Sequence, residues 1–435
     1  MFQLVERIVD GHPHHAAFTL LFLVNAELDD VYTADSTTGL QRVTSAAQRS
    51  RQTRLNDTNN RMLSQNQTTE QNSRIQAARR LYARLLEGRR GPLLQQMQSL
   101  AEAYVEWANF NVDKHRGSTA DIPFPSGCML HRFAISPRQR INVRQGMDAL
   151  SLVAIPTDVL RIDRSGQYDR SNVVCISGFA PTFRLAGGIN MPKIVTCWGT
   201  DGRSRRQLVK GRDDPRQDAV MQQVFAAANR LFYQRRRQSR AYLRAATNAA
   251  TPCDFSRCRW LDADGGLRVR TYKVIPMAQR SGVIEWCEGT VPLGEWLAAD
   301  RSGAHQRYRP KDLPPGQAKQ RLAAVRDRPY ERRLAVFDEI CQKLNPVLAY
   351  FYLEHFPDPQ QWCRARYAYT RSLAASSLVG YLVGLGDRHP HNLLLHRASG
   401  ELVHIDLGVA FDQKLASHLP QKLYWQSFAM EAMSY

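Results

Sequence analysis

The sequence lacks an apolar run long enough to cross a membrane. The longest such run near the start, residues 16–24, is far shorter than the about 20 residues that a transmembrane helix needs. It follows the charged residues Glu6, Arg7 and Asp10 rather than a basic leader, so no signal peptide is predicted. We therefore expect a soluble intracellular protein without a membrane partner.

The sequence also lacks the paired Cys-x2-Cys spacing of a zinc module. Its eight cysteines are scattered, and the close pair Cys253 and Cys258 has no matching pair elsewhere. This pattern favours reduced thiols over a disulfide framework. The histidines at positions 12, 14 and 15 lie close in sequence, but adjacent positions on a helix do not share one face. We expect them to have core or capping roles.

Acidic residues are few relative to basic ones. The chain has 59 Lys and Arg against 40 Asp and Glu, a net charge of +19. The excess is concentrated in residues 42–90 and 235–244. Such a balance suggests a basic nucleic-acid module, which stays as an alternative. Because no readout motif accompanies the charge, and most charge runs are solvated faces, direct contact with nucleic acid is not expected.

The most informative segment runs from residue 384 to 408 and predicts a β-hairpin. Two short apolar runs, 393–395 and 402–405, flank the turn-forming stretch 397–400. With the turn centred near Ser399, an antiparallel register can be written for the residues on either side.

That register places Asn392 opposite Asp406, with Asp387 on the loop just before the hairpin. Facing residues lie about 4.5–5.5 Å apart. Their carboxylate and amide oxygens suit a hard cation such as Mg²⁺. Either residue alone is more typical of a turn, but the joint spacing favours a metal site formed by Asn392 and Asp406, of the kind that handles phosphates.

A second set of charged residues follows a predicted strand. Lys210 ends the run that begins at Gln207, and Asp218 lies in the first turns of a helix that Asp214 caps and Pro215 begins. A lysine leaving a strand, held by an aspartate, steers a cation onto nucleotide phosphates. The alternative is a weak surface ion pair.

Upstream of Lys210, the stretch 185–193 contains two adjacent glycines, and its backbone is predicted to approach phosphate. Gly187 and Gly188 permit close approach of the backbone, and Lys193 is predicted to add charge near the phosphates. A pair of adjacent glycines is weak evidence by itself.

The order of the catalytic residues points to one family. Protein kinases usually carry His-Arg-Asp-x4-Asn and Asp-Phe-Gly, whereas this chain has Asp387-Arg388-His389 and Asp406-Leu407-Gly408. This reversal resembles the phosphoinositide 3-kinase-like superfamily. Within it, the chain is similar to the phosphoinositide 3-kinase-related protein kinases of the ataxia-telangiectasia mutated (ATM) branch, most strongly over residues 150–411.

The resemblance implies a role for each motif residue. Asp387 would orient the substrate hydroxyl and accept its proton, and His389 would neutralise charge or assist that transfer. Asn392 and Asp406 would hold Mg²⁺, with Mn²⁺ as an alternative, while Arg388 is expected to be structural.

The nucleotide-binding roles follow in the same way. Lys210 would contact phosphate and Asp218 would orient Lys210. Glu285, Trp286 and Cys287 would form the hinge between two lobes, where backbone groups meet adenine and the indole stacks on it. ATP is the implied cofactor.

We therefore expect an α+β protein. It would have a bilobal kinase-like domain, with a small antiparallel β lobe containing one main helix and a mostly helical partial large lobe, preceded by an α-helical segment. The predicted boundaries are residues 1–37 for the end of a helical FAT-like region, 38–75 for a polar flexible segment, 76–115 for a helical hairpin, 116–149 for a linker, 150–284 for the small lobe, 285–411 for the partial large lobe and 412–435 for a divergent tail. A polar insertion without periodicity is predicted at residues 233–266.

The function implied by the resemblance is a nuclear serine/threonine protein kinase of DNA-damage signalling. Its substrates would carry Ser or Thr before Gln, and a DNA-repair complex would activate it. Recognisable motifs end at Phe411, before the family's activation loop and FATC motif, so we expect a fragment with weak activity. A phosphoinositide kinase and an inactive nucleotide-binding scaffold are the alternatives.

Overall fold

The computed structural model describes residues 2–35, 57–134, 152–166, 168, 173–188, 190–247, 266–299 and 302–411. These residues form two compact units. The first unit comprises residues 1–219 and 272–286, and the second comprises residues 220–271 and 287–435, each within the described ranges. Among the described residues, no helix combines the length and apolar character that a membrane crossing requires.

The first unit begins with helices and continues into a sheet. Its helices are α1 (Phe2–Gly11), α2 (Pro13–Val24), α3 (Leu28–Asp35), α4 (Asp57–Leu86) and α5 (Gly91–Asn109). Its strands are β1 (Ile122–Pro123), β2 (Ile176–Leu185), β3 (Lys193–Gly199), β4 (Ser204–Lys210), β5 (Val274–Pro276) and β6 (Gly282–Glu285). The six strands are antiparallel, in the order β1-β2-β3-β4-β6-β5.

Helix α5 connects the helices to the sheet. Its apolar residues recur at helical spacing, and those fully buried include Leu94, Met97, Leu100, Tyr104 and Val105. The Tyr104 hydroxyl donates to the side-chain oxygen of Gln207 on β4, at 2.6 Å. The core of the first unit is therefore continuous from the helical segment into the sheet.

The second unit is mostly helical. Helix α6 (Pro215–Thr247) begins in the first unit and continues into the second. The remaining helices are α7 (Leu293–Ala298), α8 (Ala304–Tyr308), α9 (Pro315–Ala324), α10 (Tyr330–Lys343), α11 (Ala349–His355) and α12 (Pro359–Leu382). A three-stranded antiparallel sheet holds β7 (Thr290–Pro292), β8 (Leu393–His396) and β9 (Leu402–His404), in the order β7-β8-β9. The predicted α+β class is confirmed.

Two polar segments are more helical than predicted. Residues 57–75, predicted as part of a flexible segment, belong to α4, and residues 233–247, predicted as an insertion without regular structure, belong to α6. In both cases the polar stretch is continuous with a helical segment that contains apolar residues. Adding residues to an existing helix costs little free energy. Gln, Arg and Ala are also good helix formers. Residues 38–56, 248–265 and the predicted tail 412–435 lie outside the described residues.

Candidate active site

The predicted hairpin at residues 393–404 is present, but its register differs by one residue. Leu393 pairs with His404 on β8 and β9. In this register Asn392 faces Ile405, whose amide donates to the Asn392 carbonyl at 3.0 Å. The prediction that Asn392 stands directly across from Asp406 is therefore wrong.

The cause is the length of the turn. The amide of His396 donates to the carbonyl of Glu401 at 2.9 Å, so residues 397–400 form the loop and its centre lies before Ser399. Gly400 has a φ of 73°, a conformation that glycine adopts without steric cost. A register shift of one residue moves the side chains of a strand to the opposite face of the sheet. The positions of Asn392 and Asp406 therefore depend on the loops beyond the strands.

Arg388 holds those loops together. Its buried guanidinium donates to the carbonyls of Gly386 and Ile405, each at 2.7 Å, and to the carbonyl of Asp406. One side chain therefore joins the loop that carries Asp387 to the loop that carries Asp406. The expectation that Arg388 is structural is confirmed.

Both acidic residues have left-handed backbone conformations. Asp387 has a φ of 53° and Asp406 a φ of 55°. Such conformations cost a non-glycine residue about 1–2 kcal/mol and concentrate at functional sites. Asp tolerates this conformation better than most residues do, and the two carboxylates are candidates for the catalytic groups.

The side chain of Asn392 supports the first of these loops. Its Nδ2 donates to the carbonyl of Asp387 at 2.9 Å, and its backbone amide donates to the carbonyl of His389 at 2.9 Å. Because the amide nitrogen is directed at the loop, Oδ1 is the atom that Asn392 can offer to a cation.

The loop that follows Asp406 is anchored in the second unit's core. Leu407 is fully buried in a cluster with Phe225 of α6 and Val379 of α12. The amide of Gly386 donates to the carbonyl of Val409 at 2.8 Å. The loop carrying Asp406 is thus fixed by packing as well as by Arg388.

His389 is exposed, and its Nδ1 accepts a hydrogen bond from the amide of His391 at 3.2 Å. An accepting Nδ1 places the proton of the neutral ring on Nε2. Gly294 of α7 lies against the His391 ring, since a Cβ at Gly294 would come within 2.7 Å of its Cε1 and Nδ1. Sequence reasoning missed Gly294, for which a glycine inside a helix was the only signal.

In the first unit, Lys210 is held by two carboxylates. Its Nζ lies 3.8 Å from Oδ2 of Asp218, as predicted, and 3.3 Å from Oδ2 of Asp213, which was not predicted. Asp218 is buried, in the first turn of α6, where the helix dipole favours negative charge. The predicted cap is also confirmed, because Oδ1 of Asp214 accepts from the amide of Arg216 at 3.0 Å.

Gly187 and Gly188 lie in the exposed loop between β2 and β3. The amide of Ala186 donates to the carbonyl of Pro192 at 2.8 Å and closes the loop. Gly188 has a φ of 109°, and a Cβ at either glycine would meet no described atom within 4 Å. This geometry fits a loop whose backbone approaches phosphate, and that role stays a prediction.

Lys193 is not where the sequence placed it. It pairs with Val209 on β4, the residue before Lys210, so Lys193 and Lys210 lie on opposite faces of the sheet. Its Nζ donates to the carbonyl of Ala108 at 2.7 Å and lies 5.9 Å from the centre of the Trp107 ring. Burial lowers the pKa of Lys193 to about 7. The predicted role beside the phosphates is therefore not supported.

The predicted hinge residues lie where the chain passes between units. The boundary falls between Trp286 and Cys287. A carboxylate oxygen of Glu285 accepts from the amide of Lys273 at 2.9 Å, and the guanidinium of Arg206 lies 5.3 Å from the Trp286 ring centre. Arg206 therefore contacts the indole, and a contact of Trp286 with adenine stays a prediction.

The donors predicted for a metal are all oxygen atoms. Mg²⁺ is usually held by one or two carboxylates together with substrate phosphates and waters. Asp406 and the Oδ1 of Asn392 fit that small ligand set. Within the described ranges, no group of three or more His, Cys, Asp or Glu side chains forms a separate metal cluster.

Comparison with known proteins agrees with this geometry. The family model for phosphatidylinositol 3- and 4-kinase matches residues 206–423. The match extends past Phe411, so the expectation that the resemblance stops there is corrected.

Similar curated proteins carry kinase names. The chain is 40% identical over 410 residues to "Serine-protein kinase ATM" of Sus scrofa, covering 94% of this chain and 12% of that protein. It is 38% identical over 336 residues to "Serine/threonine-protein kinase ATM" of Arabidopsis thaliana, covering 77% of this chain and 8% of that protein. The chain therefore spans about an eighth or less of the length of these relatives.

A solved structure titled "FAT and kinase domain of CtTel1" is also similar. Its TM-score is 0.68 at 30% identity, and the match covers 94% of this chain and 23% of that chain. The reversed catalytic motif, the lysine pair and these matches agree. The chain belongs to the phosphatidylinositol 3- and 4-kinase family and, within it, to the ATM-like kinases.

Proposed function

We propose that the chain carries the phosphotransfer site of an ATM-like serine/threonine protein kinase. It transfers the γ-phosphate of ATP to Ser or Thr hydroxyls, preferentially before Gln, in nuclear DNA-damage signalling under the control of a DNA-repair complex. The observation that carries the proposal is the pair of loops joined by Arg388, which holds Asp387 and Asp406 in strained backbone conformations. The named relatives support protein rather than lipid substrates.

The chain's own residues supply alignment and charge, which phosphoryl transfer mainly requires. Asp387 orients the substrate hydroxyl and takes its proton. His389 presents Nε2–H to developing negative charge. The ammonium of Lys210, steadied by Asp218, neutralises phosphate charge.

Kinases of this kind use ATP and a divalent metal, and we propose Mg²⁺, with Mn²⁺ as the alternative. Asn392 and Asp406 would hold it through oxygen atoms. When bound, the ion neutralises charge on the phosphate oxygens. Both residues are fixed by the loops before any ligand arrives.

The test uses the 435-residue chain in two steps. ATP with Mg²⁺ is expected to raise the melting temperature, and Asp406→Asn is expected to remove most of that rise. Asp338→Asn, an exposed acidic residue on α10, is the matched control and should behave like the wild type. The absence of Mg²⁺-dependent stabilisation by ATP in the wild type contradicts the proposal.

The second step measures turnover on a Ser-Gln peptide, the same peptide with Ala in place of Gln, and phosphoinositide vesicles. Slow phosphate transfer to the Ser-Gln peptide alone is expected. Transfer to the vesicles instead identifies a lipid kinase. Binding of ATP without any turnover identifies a nucleotide-binding scaffold.

A further inference from the structure

A buried polar cluster lies in the first unit, away from the residues assigned to catalysis. It consists of Asp29 on α3, Asn109 at the end of α5 and Ser281 in the turn between β5 and β6. Their exposed fractions are 3%, 7% and 0%. The cluster therefore joins three segments that are distant in sequence.

Asp29 accepts hydrogen bonds on both carboxylate oxygens. Oδ1 accepts from Nδ2 of Asn109 at 3.0 Å and from the hydroxyl of Ser281, and Oδ2 accepts from the amide of Arg280 at 2.6 Å. Burying a carboxylate is costly unless donors satisfy it, and bonds to a charged acceptor are stronger than neutral ones. The β5–β6 turn is thus fixed to the helices by a small set of bonds.

The same turn contacts the surroundings of Lys210. The amide of Arg280 donates to Asp29. The carbonyl of the same residue accepts from the amide of Asp213 at 3.2 Å. The carboxylate of Asp213 in turn lies 3.3 Å from the Nζ of Lys210. A continuous series of contacts therefore runs from Asp29 through Arg280 and Asp213 to Lys210.

Strand pairing provides a second connection. Gly282, which follows the turn, pairs with Lys210 in the β4–β6 register. A Cβ at Gly282 would lie 2.9 Å from the Cβ of Pro215, the first residue of α6. Because α6 also carries Asp218, the turn abuts both the strand of the lysine and the helix of its partner.

The end of α5 approaches the same strand end. A Cβ at Gly211 would lie 2.4 Å from the carbonyl oxygen of Ala108, so the two backbones are in close contact. Asn109 follows directly and belongs to the buried cluster. The end of α5 thus touches the residue after the lysine strand through Ala108 and the β5–β6 turn through Asn109, whose Nδ2 lies 3.2 Å from the Ser281 hydroxyl oxygen.

We propose that Asp29 and Asn109 are positioning residues for Lys210. They fix the β5–β6 turn, the turn fixes Asp213 and the start of α6, and these hold the ammonium of Lys210 where a phosphate chain binds. The helical segment is in this way part of the phosphate-binding apparatus. This inference rests on the proposed function, because it assigns nucleotide phosphate as the ligand of Lys210.

The test compares ATP with adenosine as ligands of the full chain at low temperature, which favours the folded state of destabilised variants. Lys210→Met is the benchmark and should abolish the preference for ATP. Asp29→Ala is expected to lower the ratio of the adenosine Kd to the ATP Kd by about fivefold, with the adenosine Kd changing less than about twofold. Asp30→Ala, the exposed neighbour on α3, is the matched control and should leave the ratio unchanged.

A double variant separates positioning from general damage. If Asp29 acts through Lys210, Asp29→Ala should lower the ratio in the wild type but not further in Lys210→Met, whereas independent effects add. Should Asp29→Ala fail to fold, Asp29→Asn and Ser281→Ala, which each remove fewer bonds, carry the same measurement. Equal weakening of ATP and adenosine binding in these variants contradicts the positioning role.

The two proposals fail in different ways. If Lys210→Met lowers the ATP preference but the Asp29 and Ser281 variants do not, the positioning role is wrong and the proposed function stands. If the wild type shows no preference for ATP that depends on Lys210, the proposed function fails first, and the inference fails with it.

Discussion

The two units hold their functional groups by different means. In the first unit, the ammonium of Lys210 is set by charged side chains, Asp213 and Asp218. In the second, Asp387 and Asp406 are set by the backbone, through left-handed conformations and a guanidinium bound to three carbonyls. A side-chain pair can adjust in small steps, whereas a backbone arrangement is either formed or lost. Substitutions should therefore have graded effects in the first unit and severe effects in the second.

The largest effect is expected for Arg388→Leu. It leaves the carbonyls of Gly386, Ile405 and Asp406 without their buried donor. Because a hydrogen bond contributes about 1 kcal/mol net, the loss of three should lower the free energy of unfolding by about 3 kcal/mol. Small displacements of catalytic groups cost about hundredfold in rate, so turnover should fall at least that far.

Urea unfolding and peptide phosphorylation measure both quantities for Arg388→Leu. Arg397→Leu, at an exposed position of the hairpin loop, is the control and should change neither. Retention of wild-type turnover by Arg388→Leu contradicts the idea that one guanidinium unites the two loops.

A smaller, graded effect is expected for the two partners of Lys210. Asp213 is the nearer by distance, but its side chain is 45% exposed, whereas that of Asp218 is 6% exposed. Solvent screens exposed pairs and leaves them worth less than about 1 kcal/mol. Asp218→Asn should therefore weaken ATP binding about tenfold and Asp213→Asn about threefold. Isothermal titration calorimetry with Mg-ATP measures the affinity of both variants. A larger loss of affinity in Asp213→Asn than in Asp218→Asn contradicts this prediction.

Gly294→Ala should affect turnover more than binding. The new Cβ would lie 2.7 Å from the His391 ring, so the ring, which lies beside His389, must shift. We expect kcat to fall about tenfold, with the Kd for ATP nearly unchanged. Gly316→Ala on α9, where a Cβ meets no described atom within 4 Å, is the control. An equal loss in the Gly316 variant shows that the effect is not specific to the catalytic loop.

The smallest effect concerns Lys193 and is visible only as a pH dependence. Since burial lowers its pKa to about 7, the folded chain binds fewer protons than the unfolded chain between about pH 7 and 10.5. The contribution of Lys193 to the free energy of unfolding should therefore rise with pH across that window.

Lys193→Met removes that group, and its denaturation midpoint should rise less steeply with pH than that of the wild type. Lys114→Met, an exposed lysine of the same unit, should keep the wild-type slope. If Lys193→Met keeps it too, other groups account for the pH dependence.

Local sequence patterns predicted which residues form the site better than they predicted the lengths of the helices or the face of a sheet on which a side chain lies. The pair Lys210 and Asp218 was found because the cap at Asp214 fixes where α6 begins and therefore which of its residues reach the strand. The position of Lys193 was predicted wrongly because the length of the preceding loop decides on which face of the sheet a residue lies. The alternation of apolar and polar residues alone did not reveal that face. The same cause shifted the register at Asn392 by one residue.

The sequence by itself determined the family, the order of the catalytic residues and the presence of a hairpin beside Asp387, since each of these depends on residues that lie close together in the sequence. Only the tertiary structure decided that Arg388 joins two loops and that Asp29 meets Ser281 across 252 positions. Burial and hydrogen bonding between distant segments depend on how the whole unit packs, and no local periodicity records them.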